Sequence, residues 1–421
     1  MNMGKKINVG IGFVTGRKSF KNVVKTYIDN WNESDLLDAD RFALHLFVAY
    51  DLKYSSTKAS DYRISDDDIL ATVDSAHYLG NVSIENEALH LIEKKVITRA
   101  EADLIFGEGY AMKRNIVLYF ALKNKMDHII FLDDDEYPIA VINIDQSIVW
   151  KGQAVISTHI DNMLHADMTH GHHCGYISPI PHIAFNDDLT EADFKQYIQA
   201  ISNDIINWES VKEKMDNGGV TFANLDIINS KKVEHVKEIN GMKFISGANL
   251  GFNLKNIDKI FPFYNPPGAR GEDAFLSTSI GECEIRKAPC YTFHDGFGLY
   301  EQLLLGVLPN ALKTIYPDNG AVTERFLNAS IGWIRYKPLL LYILDLESFD
   351  AKTMEIRASL EGVIPKICKY FGNDGFEAIL REFDFYCENA EKHYQDFKQT
   401  QATWIKVVTF LKKDESPCAG I

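Results

Sequence analysis

The residues with the most chemical potential in this chain are carboxylates. Asp133, Asp134 and Asp135 stand in a row, followed by Glu136 and closed by Pro138; Glu272 and Asp273 form a second pair, and His294 with Asp295 a third polar spot. Three adjacent acids repel one another unless a cation compensates them or water screens them, and hard oxygen ligands suit Mg²⁺ or Mn²⁺, often shared with phosphate. A pair such as Glu272 and Asp273 can take the proton of a hydroxyl, the work of a general base. Each cluster also has a plainer reading. The first could be a solvated turn after a strand, and the second simple capping of a helix N-terminus, where acids are favoured on their own account.

The apolar run His128-Ile129-Ile130-Phe131-Leu132 predicts a short buried strand that runs straight into the acids, and Pro138 cannot continue its ladder. The acids then sit at the carboxyl end of a central strand, where open α/β sheets bind ligands. A strand over 7–14 breaks at Thr15-Gly16-Arg17 before an amphipathic helix over 19–31, which puts Arg17 at a helix N-terminus suited to anions. A second strand over 44–50 ends in Asp51, completing the opening of a nucleotide-binding α/β half. Lys113 and Arg114 open a strongly apolar helix against the dipole preference, which is easier to explain beside an anionic group.

Between these landmarks, residues 55–105 are expected to form a polar, mostly helical insertion, with Asp66 in a predicted helix start, Ser65-Asp66-Asp67-Asp68. Strands are predicted over 141–150 and 153–158, then a histidine-rich loop with His159, His165, His170, His172, His173, Cys174 and His182. Its potential ligands are too crowded for a closed tetrahedral zinc site, so polar contacts to an acceptor or to the core are expected. A helix over 188–215 and a strand, turn and strand over 242–253 follow. Beyond Tyr300 the pattern is helical to residue 413, which places a boundary near Gly298, between an α/β domain over 1–298 and an α-helical domain over 299–421.

The balance of the chain limits its partners. A net charge of −15 over 421 residues argues against a nucleic-acid backbone as main partner, because duplex binding is dominated by phosphate neutralisation. Six cysteines without CxxC spacing fit reduced thiols. No apolar run approaches the roughly 18 residues that span a bilayer, and residues 1–6 lead into a strand with no small-residue cleavage pattern. A cytoplasmic setting is expected, with peripheral contact at the inner face of a membrane left open.

Taken in order, Arg114-Asn115, Phe131-Leu132-Asp133-Asp134-Asp135 with Pro138, Ser246-Gly247-Ala248-Asn249-Leu250-Gly251 and Gly271-Glu272-Asp273 resemble the GT-A glycosyltransferases, nearest their family-2-like inverting group. The likeness covers residues 5–298 and leaves the C-terminal helices unmatched. It implies a Rossmann-like nucleotide-diphospho-sugar transferase fold and transfer of a sugar to a glycan, lipid-linked or protein acceptor. It implies that Asp133 and Asp134 contact the donor, that Asp135 with Asp133 holds Mn²⁺ or Mg²⁺, and that His294 completes the metal shell. Thr15 and Arg17 match the family's first-strand turn, Asp51 the acid that meets the nucleobase, and Arg114 would lie by the nucleotide. Gly247, Ala248 and Asn249 would face the acceptor, and Asp273, with Glu272 beside it, would be the base. The QxxRW signature of processive synthases is missing, so a single-addition enzyme is expected, with the C-terminal helices open to a homo-oligomer contact. Two rivals remain. A sugar nucleotidyltransferase would need a glycine-rich phosphate loop, for which Gly10-Ile11-Gly12-Phe13-Val14-Thr15-Gly16-Arg17 is a partial candidate; a non-catalytic carbohydrate-binding protein on the same fold should have lost Asp133, Asp135 or Asp273.

Overall fold

Valine, isoleucine and phenylalanine concentrate in the segments that form the central sheet, where their branched and aromatic side chains pack on a pleated surface. The computed structural model describes residues 6–34, 41–145, 147–202 and 208–413. Its strands are β1 (Ile7–Thr15), β2 (Phe42–Tyr50), β3 (Ser75–Leu79), β4 (His128–Leu132), β5 (Glu136–Tyr137), β6 (Ile139–Ile144), β7 (Ser147–Gly152), β8 (Met168–Gly175), β9 (Glu234–His235), β10 (Leu250–Asn253) and β11 (Ile285–His294). Strands β6 and β7 pair as a separate hairpin; the others form one curled mixed sheet in the order β3-β2-β1-β4-β10-β8-β11-β5, with β9 on β11. Strands β1 to β4 are mutually parallel, so Thr15, Asp51, Gly80 and Asp133 all emerge at one edge. Strand β10 runs antiparallel to both of its neighbours.

The alternation of β1 shows why the sheet is covered on both faces. Val9, Ile11 and Phe13 pack with Phe20, Val23 and Tyr27 of the helix Phe20–Glu33. On the opposite face Gly10 and Gly12 carry no side chain, and a Cβ there would come within 2.6 Å of Ile129 and 2.7 Å of Val117. The helix Tyr110–Lys123 therefore sits tightly on β1 and β2, burying ten of its residues and bringing its first turn to the acids that follow β4. Each large apolar side chain buried in this way contributes roughly 1.5–3 kcal/mol.

Several expectations are corrected. Residues 55–105 are not an insertion: they contain β3, which pairs with β2 at the sheet edge, and the helices Asn81–Glu93 and Arg99–Phe106, which cover the sheet. The helix start at Asp66 does form, with its carboxylate accepting from the N–H groups of Asp68 and Ile69. The strand over 153–158 is the beginning of the helix Val155–Met163, whose β-branched opening residues misled the pattern. The histidine-rich segment is not a loop, because His159 lies in that helix and His170, His172 and His173 in strand β8. Of residues 242–253 only Leu250–Asn253 is a strand. The helix over 188–215 divides into Glu191–Ile201, capped by Thr190, and Trp208–Asp216. Residues 203–207, Cys418 and the N-terminal residues 1–5 lie outside the described residues.

The C-terminal helices are packed into the α/β part. The helix Ala390–Lys413 inserts Trp404, Val407 and Leu411 into the core shared with Leu118 and Phe131, and Trp404 Nε1 donates to the Ile260 carbonyl at 2.9 Å. The helix Gly320–Leu344 places Phe326 and Ile334 against Phe194 and Ile198, and Tyr336 and Leu339 against Phe275. No helix among the described residues is long and apolar enough to cross a membrane.

Candidate functional site

The acids following β4 divide between two arginines. Thr15, the last residue of β1, donates from Oγ1 to Asp134 Oδ2 at 2.5 Å, and Arg17 Nη1 donates to Asp134 Oδ1 at 2.9 Å and Asp135 Oδ2 at 2.8 Å. Asp133 turns the other way, accepting from Tyr110 OH at 2.8 Å and Arg114 Nη2 at 3.1 Å. His294, at the end of β11, brings Nε2 to 3.5 Å from Asp135 Oδ1. Glu136 is buried beneath them, accepting from Thr292 Oγ1 at 2.7 Å with His173 Nδ1 3.1 Å away.

Burial governs the protonation of this corner. It lifts the Asp134 carboxyl to about 7 against the opposing charge of Arg17. It lifts Asp133 as well, against Arg114. Asp135 goes the other way: burial is outweighed by His294 and Arg17 together, which hold it well below the ordinary carboxylate range. Burial likewise opposes the charged form of His294, yet Asp135 and Glu136 raise its imidazole to about 9.

The second pair of carboxylates arrives from a distant part of the chain. Gly271 adopts a left-handed conformation (φ +89°), which a side chain would resist, and turns the backbone into the short helix Glu272–Ser277. Glu272 Oε1 lies 3.5 Å from Arg114 Nε, and Asp273 Oδ1 accepts the N–H of Ala274 at 2.8 Å. Burial raises both carboxyls; each feels opposing Arg114, and Glu272 is pushed further by the charge of Asp273. A raised carboxylate pKa makes a better proton acceptor near neutrality. Arg114 itself is nearly inaccessible, donates to the Gly247 carbonyl as well as to Asp133, and lies 5.4 Å and 5.5 Å above the rings of Phe131 and Phe263.

Some expected roles change with this geometry. Arg114 is too deeply buried to lie along a nucleotide; it positions Asp133 and Glu272 instead. Gly247, Ala248 and Asn249 are buried and do not face an acceptor. A side chain at Gly247 would crowd Glu272 Oε1 at 3.1 Å, so its smallness serves the acids. Asn249 has φ +50° and an inward side chain, with Oδ1 2.7 Å from His159 Nε2 and Nδ2 donating to the His172 carbonyl at 3.1 Å. Asp51 directly follows β2, at the carboxyl end of the parallel strands as expected, and its Oδ1 accepts the Lys53 N–H at 2.8 Å. Near it, burial depresses the Lys113 ammonium while Asp51 opposes that effect, and Lys113 Nζ reaches Asn81 Oδ1 at 3.4 Å.

Asp135 is a carboxylate of the kind that holds Mg²⁺ when phosphate oxygens and waters complete its shell; His294, 3.5 Å away, would join it as a ligand only on giving up the proton that Asp135 and Glu136 favour. Asp133, engaged by Tyr110 and Arg114, is directed away from that pair. Among the described residues no three His, Cys, Asp or Glu side chains converge as a ready-made metal shell. The histidine-rich segment supplies the core contacts anticipated for it: His159 Nδ1 and Thr169 Oγ1 are 2.7 Å apart, and His172 stacks on Tyr291.

Tyr110 and Tyr54 join the site without having been expected there. Tyr110 precedes Arg114 by four residues, a spacing that puts both on one helix face and could have revealed it. Tyr54 packs against Gly16 with Arg17 6.0 Å from its ring centre, a tertiary contact without a local signal. No family model matches this chain, and no curated protein matches it.

Proposed function

We propose that this protein is a metal-dependent GT-A-type glycosyltransferase that moves a sugar from a nucleotide-diphosphate donor to an acceptor hydroxyl, with inversion and one addition at a time. The observation that carries this reading is the bridge made by Arg114, 3.1 Å from Asp133 and 3.5 Å from Glu272, which brings the carboxylates proposed for donor and acceptor to one guanidinium. The parallel order β3-β2-β1-β4 followed by antiparallel β10 supports it, since it gathers Thr15, Asp51 and Asp133 where a nucleotide binds in α/β sheets.

In this reading Asp51 meets the nucleobase and Asp133 the ribose or sugar, while Thr15 and Arg17 hold Asp134 and Asp135 in place. Asp135 and His294 would hold Mg²⁺ or Mn²⁺, which when bound supplies Lewis-acid neutralisation of the diphosphate. Asp273, with Glu272 beside it, removes the acceptor proton as the hydroxyl attacks the anomeric carbon. Arg114 fixes the spacing between the two halves and takes no part in the bond changes. One base is sufficient for an inverting displacement.

The nucleotidyltransferase alternative loses its phosphate loop, because Gly10 and Gly12 lie inside β1 beneath Ile129 and Val117. Incubation with a panel of nucleotide sugars and mixed acceptors in Mn²⁺ tests the proposal by its products. Release of a nucleoside diphosphate is expected; release of pyrophosphate from nucleoside triphosphate and sugar phosphate would favour the alternative.

A further inference from the structure

Besides Arg114, held by Asp133 and Glu272, three guanidinium groups approach the acidic corner, and ion pairs within the protein account for one of these three. Arg17 is paired with Asp134 and Asp135. Arg325, on the helix Gly320–Leu344, has its Nε buried without a hydrogen-bond partner, and it forms no ion pair among the described residues. Its place is fixed by Gly296, where a Cβ would stand 3.2 Å from Arg325 Nη2 and 3.3 Å from His294 Cε1. The guanidinium thus borders the imidazole that touches Asp135, and it is steadied by the Phe297 ring 5.1 Å away. Arg270, from the loop before Glu272, crosses the same helix at Gly332, where a Cβ would meet its Cδ at 2.8 Å. Burial and the charges of Arg270 and Arg17 all disfavour the charged form of Arg325, with Asp135 opposing them.

Gathering like charges with a buried, unmatched donor is unfavourable unless an anion joins them. Guanidinium groups recognise phosphate oxygens through paired hydrogen bonds, and the cations here border the pair proposed for a divalent ion. We propose that Arg325, assisted by Arg270, grips the terminal phosphate of the donor diphosphate, so that the C-terminal helix supplies a binding residue of the site. This inference rests on the glycosyltransferase reading and extends it to a region beyond the GT-A resemblance.

The test is calorimetric titration of the full chain, in Mn²⁺, with the common nucleoside diphosphates, the matching monophosphates and inorganic pyrophosphate. Arg325→Gln should weaken the accepted diphosphate about tenfold or more, as loss of a charged phosphate contact does, while the monophosphate changes by less than about twofold. Arg325→Lys should recover part of the loss, and Arg270→Gln, at an exposed side chain, should weaken diphosphate binding by about threefold. Unchanged diphosphate affinity in Arg325→Gln, or equal loss of mono- and diphosphate, overturns the inference and leaves the glycosyltransferase reading intact. Should Arg325→Gln fail to fold, unaltered diphosphate preference in both Arg325→Lys and Arg270→Gln overturns it. A wild-type protein that binds no nucleoside diphosphate defeats the parent reading, and the inference with it.

Discussion

Two polar clusters lie only a few strands apart, and they have been built to opposite ends. At the end of β4, Asp133, Asp134 and Asp135 keep part of their surface open, and their cations come from Arg17, Arg114 and His294. Around β8, His159, His170, His172 and Asn249 are almost wholly buried and tied to neutral partners or to none. Burial depresses the His159 imidazole to about 4 and that of His172 to about 3. Density of titratable residues therefore does not by itself mark a site. Net charge held at a solvent-facing strand end marks the first cluster; neutrality in a closed interior marks the second.

The contrast can be broken most severely at the acids. Asp273→Asn should lower transfer by about 10²–10⁴-fold while donor affinity in a binding titration stays at the wild-type value. Removing the connecting cation should instead attack the fold. Arg114→Met leaves Asp133 and Glu272 facing each other without their shared guanidinium, and chemical denaturation should show a loss of about 3–5 kcal/mol.

Substitutions in the second cluster should touch stability alone. Asn249→Ala loses the contacts to His159 and the His172 carbonyl at a left-handed backbone position, an expected cost of about 3 kcal/mol by urea unfolding, with donor affinity unchanged. The same cluster should confer acid sensitivity. His159 stays neutral in the fold down to about pH 4, whereas its unfolded form takes a proton near the ordinary value of 6.5. Its stabilising contribution is thus complete above pH 6.5 and is lost as the pH falls towards 4, on the order of 3 kcal/mol. In His159→Gln the stability measured across that interval should fall less steeply.

How far the sequence disclosed this arrangement depended on the range of the signal. The apolar run into Asp133, the turn at Thr15-Gly16-Arg17 and the helix opening at Glu272 are local patterns, and each lies where it was expected. Strand β3 went unseen because Ser75–Leu79 is short, half-exposed and mixed in polarity at the edge of the sheet. In the helix Val155–Met163 the β-branched Val155 and Ile156 favour a strand locally, and burial against β8 and β11 overrides that preference. The inward turn of Asn249 depends on His159, ninety residues earlier, and the approach of Arg325 depends on packing between distant helices. Neither leaves a periodic trace.

The central claim is that Asp135, with His294 beside it, holds the cation that receives a donor diphosphate. The most direct measurement is the thermal shift produced by nucleotide sugars with and without Mn²⁺, in wild type and in Asp135→Asn. A cognate donor should raise the melting temperature of the wild type only when Mn²⁺ is present, and the variant should show no such rise. An equal Mn²⁺-dependent rise in both proteins, or none in the wild type with any donor, would contradict the claim.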